Sequence, residues 1–136
     1  MPLRFTILLT LALAAGAPPA RGQAPDSLVE ALRSAVDRAD VEGMMQQAGE
    51  RLEVGLFGAA RLFSRDQAEH VLEGFFRDHP PTRLTFREFV ATESAWFGAA
   101  EYLRLDGREP LRVYARYRRT VGGWVLREFV VMEMNR

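Results

Sequence analysis

The sequence predicts an α+β domain in which helices come first and an antiparallel sheet follows, and three observations predict it. Leu28, Leu32, Ala35, Val36 and Ala39 recur at helical spacing. A second amphipathic stretch opens at Ser64 with a capping-box pattern. From Leu84 onward, β-branched and aromatic residues fill long runs that are separated by glycine turn signals.

Taken in order, Ser27 and Glu30 have capping-box spacing, so Leu28 to Ala39 is expected as an amphipathic helix. Asp40 is suited to cap a second, short helix carrying Met44 and Met45, with Gly49 ending it. After Glu50 the period changes: Leu52, Val54 and Leu56 alternate with Glu53 and Gly55, the pattern of a half-buried strand. Gly58 is expected to turn the chain into a short return segment through Arg61, Leu62 and Phe63. Ser64 and Gln67 then open a helix whose stripe is Ala68, Val71, Leu72, Phe75 and Phe76, and Pro80 with Pro81 stops it. Strands are expected over Leu84 to Thr92 and Trp96 to Leu105, with Asp106-Gly107 turning into a third from about Leu111. Leu111, Val113, Ala115 and Tyr117 share one face of that third strand, and Arg112, Tyr114, Arg116 and Arg118 the other. Gly122-Gly123 is expected to form a tight hairpin into a last strand, Trp124 to Met134.

The beginning of the chain predicts export. Arg4 precedes the apolar run Phe5 to Ala15, and Ala17 to Gln23 is rich in small residues and proline, which together read as a signal peptide over residues 1–22. The run falls short of the roughly 20 residues that span a bilayer, so no stable membrane anchor is expected after cleavage. Ala20 and Gly22 occupy the small-residue positions and favour a cut after Gly22. Residues 23–136 then form one domain, periplasmic or secreted.

Composition narrows the chemistry. With 18 basic and 18 acidic residues, formal charge is zero, so no overall field selects nucleic acid as a partner. The absence of Cys excludes disulfides, thiolate metal sites, a cysteine nucleophile and a lipidated N-terminal cysteine. No metal-ligand spacing, glycine-rich phosphate loop, nucleophile elbow or triad is present, and no cofactor is implied.

The segments FSRDQAEHVLEGFFRDHPP and EPLRVYARYRRTVGGWVLREFVV resemble a family of small exported bacterial domains of unknown function. That family lies in the nuclear transport factor 2-like superfamily, also described as cystatin-like or cone-shaped. The resemblance covers nearly the whole mature chain and rests on the capped helix ending in two prolines, the Arg112-Val113-Tyr114 strand and the glycine hairpin. It implies a strongly bent antiparallel sheet wrapped around helices, leaving an apolar cavity or a sheet face used for dimerisation. The superfamily includes isomerases, dehydratases, cyclases and non-catalytic binding modules, so polar residues in the pocket must decide among them.

An enzyme of this fold needs a carboxylate or histidine inside an apolar cavity. His70 falls on the polar side of its helix and His79 at a helix end, so both are read as surface residues. Glu88, Glu101 and Glu128 lie inside apolar or aromatic runs, and one of them as general base is the lyase or isomerase alternative. Pairing with Arg87, Arg104, Arg116 or Arg127 as ordinary sheet-surface ion pairs is the simpler account. No catalytic residue is assigned. The leading expectation is a non-catalytic module that binds a small apolar ligand or a protein partner, with Phe75, Phe76, Phe89, Phe97, Tyr102, Tyr114 and Glu101 as pocket residues. A homodimer with sheets packed face to face is the third reading, encouraged by Phe129, Val130, Val131 and Met132, which supply apolar side chains to both faces.

Overall fold

The computed structural model describes residues 24–134. The expected signal peptide lies outside the described residues. Helices α1 (Ala24–Asp37) and α2 (Val41–Met45) lead into strands β1 (Ala48–Leu56) and β2 (Arg61–Ser64). Helix α3 (Arg65–Asp78) then precedes β3 (Pro81–Ala91), β4 (Ala95–Arg104), β5 (Leu111–Thr120) and β6 (Gly123–Glu133). The six strands form one sheet in the order β2-β1-β6-β5-β4-β3, curved around the helices.

Most local signals act as the sequence suggests. Ser64 caps α3 with a complete capping box, its hydroxyl accepting from Gln67 N while Gln67 Oε1 accepts from Ser64 N. Asp40 caps α2 by accepting from Gly43 N at 3.0 Å. On β5, Leu111, Val113, Ala115 and Tyr117 are all buried.

Several boundaries differ. Helix α1 already runs from Ala24, so Ser27 lies inside it, and Glu30 pairs with Arg33 instead of completing a capping box. Pro25 is tolerated in the first turn, where its missing N–H has no helical acceptor to serve. The helix stops at Asp37, and Ala39 turns the chain with a positive φ of 52°. Gly49 belongs to β1 and does not end α2. The turn after β1 is made at Phe57, with φ 60°. Strand β3 begins at Pro81, earlier than Leu84, because an edge strand does not need every N–H for pairing. The last hairpin turns at Val121-Gly122, and Gly123, at φ 117°, already pairs with Thr120.

The largest correction concerns strand direction. The sheet is mixed, because β1 runs parallel to β6 through Val54↔Phe129 and Leu56↔Val131, whereas a wholly antiparallel sheet was expected. Parallel neighbours require a long crossover, supplied here by everything between Leu56 and Gly123. Alternation alone reports that a strand is half-buried and is silent about its partner.

Helices α1, α2 and α3 cover the concave face and fill it. Leu32, Val36, Met44, Met45, Leu72, Phe75 and Phe76 pack against Leu52, Leu84, Tyr102, Val113, Tyr117, Phe129 and Val131, all buried. Burying a side chain of this size stabilises by about 1.5–3 kcal/mol. Among the described residues, no charged or polar residue is classed with the buried ones. The two tyrosine hydroxyls that reach the interior are satisfied: Tyr102 donates to His79 O, and Tyr117 donates to Gln47 Oε1 with Leu28 O 3.3 Å away. Gln47 also donates to Leu28 O at 2.8 Å and accepts from Leu126 N at 2.8 Å, tying α1, β5 and β6 together.

Two expectations follow. Burial holds the Tyr117 phenol well above its ordinary pKa of 10.0. A raised folded-state pKa means that its contribution is intact below pH 10.0 and is lost as pH climbs toward the folded value. Tyr117→Phe, followed by urea unfolding, should lose about 1 kcal/mol at neutral pH and show a shallower alkaline decline than the wild type. Gly98 leaves room for the Trp96 ring, since a Cβ there would lie 2.2 Å from Trp96 Cη2 and 3.1 Å from Phe86 Cδ1. Gly98→Ala should therefore displace the indole, change the near-ultraviolet circular dichroism and destabilise the fold by roughly 1–3 kcal/mol.

Candidate functional site

The fold divides the seven aromatic and acidic residues that the sequence singled out into three groups. Phe75, Phe76 and Tyr102 are core: their ring centroids lie 5.4–6.4 Å apart beneath α3, and all three are buried. His79, at the end of α3, was expected at the surface but joins them, with its Nδ1 buried and its ring 5.2 Å from those of Phe75 and Phe57. Phe89 sits at the rim, 64 % exposed, stacked on Trp96 at 5.9 Å in a groove between α1 and β3 that Val29 and Phe86 also line. Phe97, Tyr114 and Glu101 occupy the outer, convex face of the sheet, where the helices do not reach.

That outer face carries an apolar groove. Phe97, 40 % exposed, stacks on Tyr114 with centroids 5.8 Å apart and planes 20° from parallel. Around the pair, Val90, Phe89, Ala99, Glu88 and Arg112 complete a groove of about 290 Å³. Val90 is 66 % exposed. A smaller depression beside it is lined by Arg87, Glu101 and Arg112, and Arg87 Nη2 donates to Glu101 Oε2 at 2.8 Å.

A register shift explains why Val90 was not singled out from sequence. Leu84 and Phe86 follow simple alternation on the inner side, which would send Glu88 and Val90 inward as well. The pairing passes from Phe86↔Ala100 to Glu88↔Ala99, so Arg87 is a bulge and the phase inverts after it. Glu88 and Val90 consequently join Ala99 and Phe97 on the outer face, while Phe89 pairs with Gly98 and turns inward.

The acidic candidates do not converge on an apolar interior. Glu88 is exposed on the outer face, Glu101 is held by Arg87, and Glu128 lies 3.6 Å from Arg116 Nε. These pairings match the sheet-surface ion pairs that the sequence suggested for Glu101 and Glu128. Burial, reinforced by the Glu53 carboxyl opposite it, holds Glu128 above the ordinary carboxylate pKa, with Arg116 acting against the rise. His70 is exposed. Among the described residues, no group of three His, Cys, Asp or Glu side chains is placed to hold a metal ion, and no helix is long and apolar enough to cross a membrane.

Helices laid into the concavity of one strongly curved, mixed sheet give an α+β domain with a nuclear transport factor 2-like fold. Residues 29–131 match the family model described as domain of unknown function DUF4783, and the chain belongs to that family. It is similar in fold to a DUF4783 family protein from Bacteroides ovatus, at 11 % identity and TM-score 0.70, covering 78 % of this chain and 94 % of that one. A second such protein, from Bacteroides uniformis, aligns at 12 % identity and TM-score 0.71, covering 79 % and 97 %. A putative dehydratase from the nuclear transport factor 2-like family of Streptomyces avermitilis aligns at 13 % identity and TM-score 0.61, covering 84 % and 96 %. No curated protein matches the sequence.

The shifted Glu128 makes a prediction about pH. A carboxyl whose folded pKa is raised above its unfolded value stabilises fully below the unfolded value and loses that contribution as pH rises through the folded one. Glu128→Gln should therefore flatten part of the stability loss as pH rises above the ordinary carboxylate value of 4.5. Chemical unfolding of both proteins across that range checks it, and parallel curves would remove the effect.

Proposed function

We propose that this domain is an exported, non-catalytic module that engages a protein partner through the aromatic groove on its outer sheet face. The observation that carries the reading is the solvent-facing Phe97–Tyr114 stack, flanked by Val90 and Arg112. Aromatic residues and arginine are enriched where proteins meet, and contiguous exposed apolar surface marks such sites. The concave side offers less support for a small apolar ligand, because Phe75, Phe76, Tyr102 and Tyr117 already occupy it.

The non-catalytic part of the reading rests on placement. A general base of the lyase or isomerase kind works from an apolar interior that shifts its pKa. Here Glu88, Glu101 and Glu128 stand outside the concavity; the tyrosine hydroxyls that enter it are engaged with Gln47 and the main chain, and His79, whose buried Nδ1 meets no partner among the described residues, lies at the end of α3 against Phe57 and Phe75. Export rests on the charged, apolar and small-residue succession of residues 1–22.

A photo-crosslinking amino acid placed at position 97 in the producing cell tests the partner. A discrete protein adduct is expected there and none from the same probe at exposed position 70; an adduct containing a second copy of this chain would identify the partner as itself. Phe97→Ser should abolish crosslinking from a probe at Val90 while leaving the melting temperature within a few degrees of wild type. Absence of any protein adduct at position 97 would overturn the reading.

A further inference from the structure

The outer face carries a second groove, of opposite character. It crosses β1, β6 and β5, has a volume of about 310 Å³, and is lined by Arg51, Glu53, Leu62, Arg116, Arg118 and Arg127. Alternation brings most of these side chains to one face. Leu52 and Val54 are buried, which sends Arg51 and Glu53 outward on β1; Ala115 and Tyr117 are buried, which does the same for Arg116 and Arg118 on β5.

Arg127 reaches the groove by a different route. The β5–β6 pairing passes from Arg116↔Glu128 directly to Tyr117↔Leu126, so Arg127 is a bulge residue without a cross-strand partner on β5. Its Nε is buried and meets no hydrogen-bond acceptor among the described residues. Burying a guanidinium N–H without an acceptor is costly.

Charge in this groove is unbalanced. Arg116 has Glu128 at 3.6 Å, whereas Arg51, Arg118 and Arg127 have no carboxylate within 4.0 Å among the described residues. Four guanidinium groups face the carboxylates of Glu53 and Glu128, an excess of two positive charges in a chain whose formal charge is zero. Guanidinium forks match oxyanions bidentately and hold them more firmly than neutral donors do. Two strand spacings separate β1 from β5, about 10 Å, more than a single phosphate bridges and within the span of linked phosphates together with the arginine stems.

From this arrangement we propose that the groove is a binding site for an oxyanion ligand carrying two or more linked phosphate groups, clasped by Arg51, Arg116, Arg118 and Arg127. Arg127 adds a fourth guanidinium, whose buried Nε has no acceptor of its own among the described residues, and the two carboxylates set the affinity by opposing the ligand. The site is separate from the aromatic groove, so either assignment stands without the other.

Calorimetric titration of the full chain with tripolyphosphate, at about 50 mM salt and with orthophosphate as comparator, tests it. One saturable site is expected, with tripolyphosphate at least about tenfold tighter than orthophosphate. Arg51→Gln combined with Arg118→Gln removes two exposed cations and should weaken tripolyphosphate about tenfold or more. Glu53→Gln removes an opposing charge and should tighten it severalfold. The double variant Arg77→Gln with Arg108→Gln, which removes exposed cations elsewhere, should bind as wild type does. Non-saturating heats, an equal loss in the Arg77 and Arg108 variant, or unchanged affinity in a folded Arg51 and Arg118 variant would each overturn the assignment, as would weaker binding by Glu53→Gln.

Discussion

The whole molecule depends on filling the hollow of a curved sheet. A six-stranded sheet that bends this strongly presents its inner face to a volume that must be occupied by side chains or water, and three helices occupy it here. Tyr117 is central to that closure. Its ring is fully buried, and its hydroxyl meets Gln47, which in turn binds the main chain of α1 and β6. Breaking this knot would leave buried polar atoms without partners, which costs more than the net gain of forming an average hydrogen bond. The knot fixes α1 against the inner face of β5 and β6.

With the interior filled, recognition chemistry is displaced to the outer face. That face is built by alternation, since each inward apolar residue sends its neighbours outward, but alternation alone would not assemble either groove. At Arg87 a bulge inverts the phase of β3 and delivers Val90 beside Phe97. At Arg127 a bulge in β6 delivers a fourth guanidinium beside Arg116. Bulges re-aim side chains at the expense of regular pairing. Irregular pairing therefore lies beside both grooves, the first apolar and aromatic, the second cationic.

The ion pairs of the outer face fit the same picture. Arg87 with Glu101 and Arg116 with Glu128 are partly exposed, and pairs of that kind contribute little to stability. Their greater effect is to set the local charge. Glu101 neutralises Arg87 next to the aromatic groove, whereas the second groove keeps an excess of arginine.

Local structure was legible wherever a single segment carries the whole signal. Ser64 and Gln67 sit three residues apart, and their side chains complete the cap of α3 within one turn. The division of β5 into an apolar face and an arginine-bearing face follows from the twofold repeat of any strand. The outward placement of Glu88 and Val90 was not legible, because a bulge is a property of two strands, visible only in their pairing. Phe75, Phe76 and Tyr102 look the same in sequence whether they line a cavity or fill it.

By itself, then, the chain determined its elements, its apolar faces and its family resemblance, because propensity, capping and periodicity act within a few neighbouring residues. Tertiary structure alone decided that β1 lies parallel to β6, that the concavity is packed, and that the aromatic and arginine side chains gather into separate outer grooves. Those outcomes depend on contacts between residues far apart in the chain, where register, bulges and packing volume choose among arrangements that local preferences leave equal.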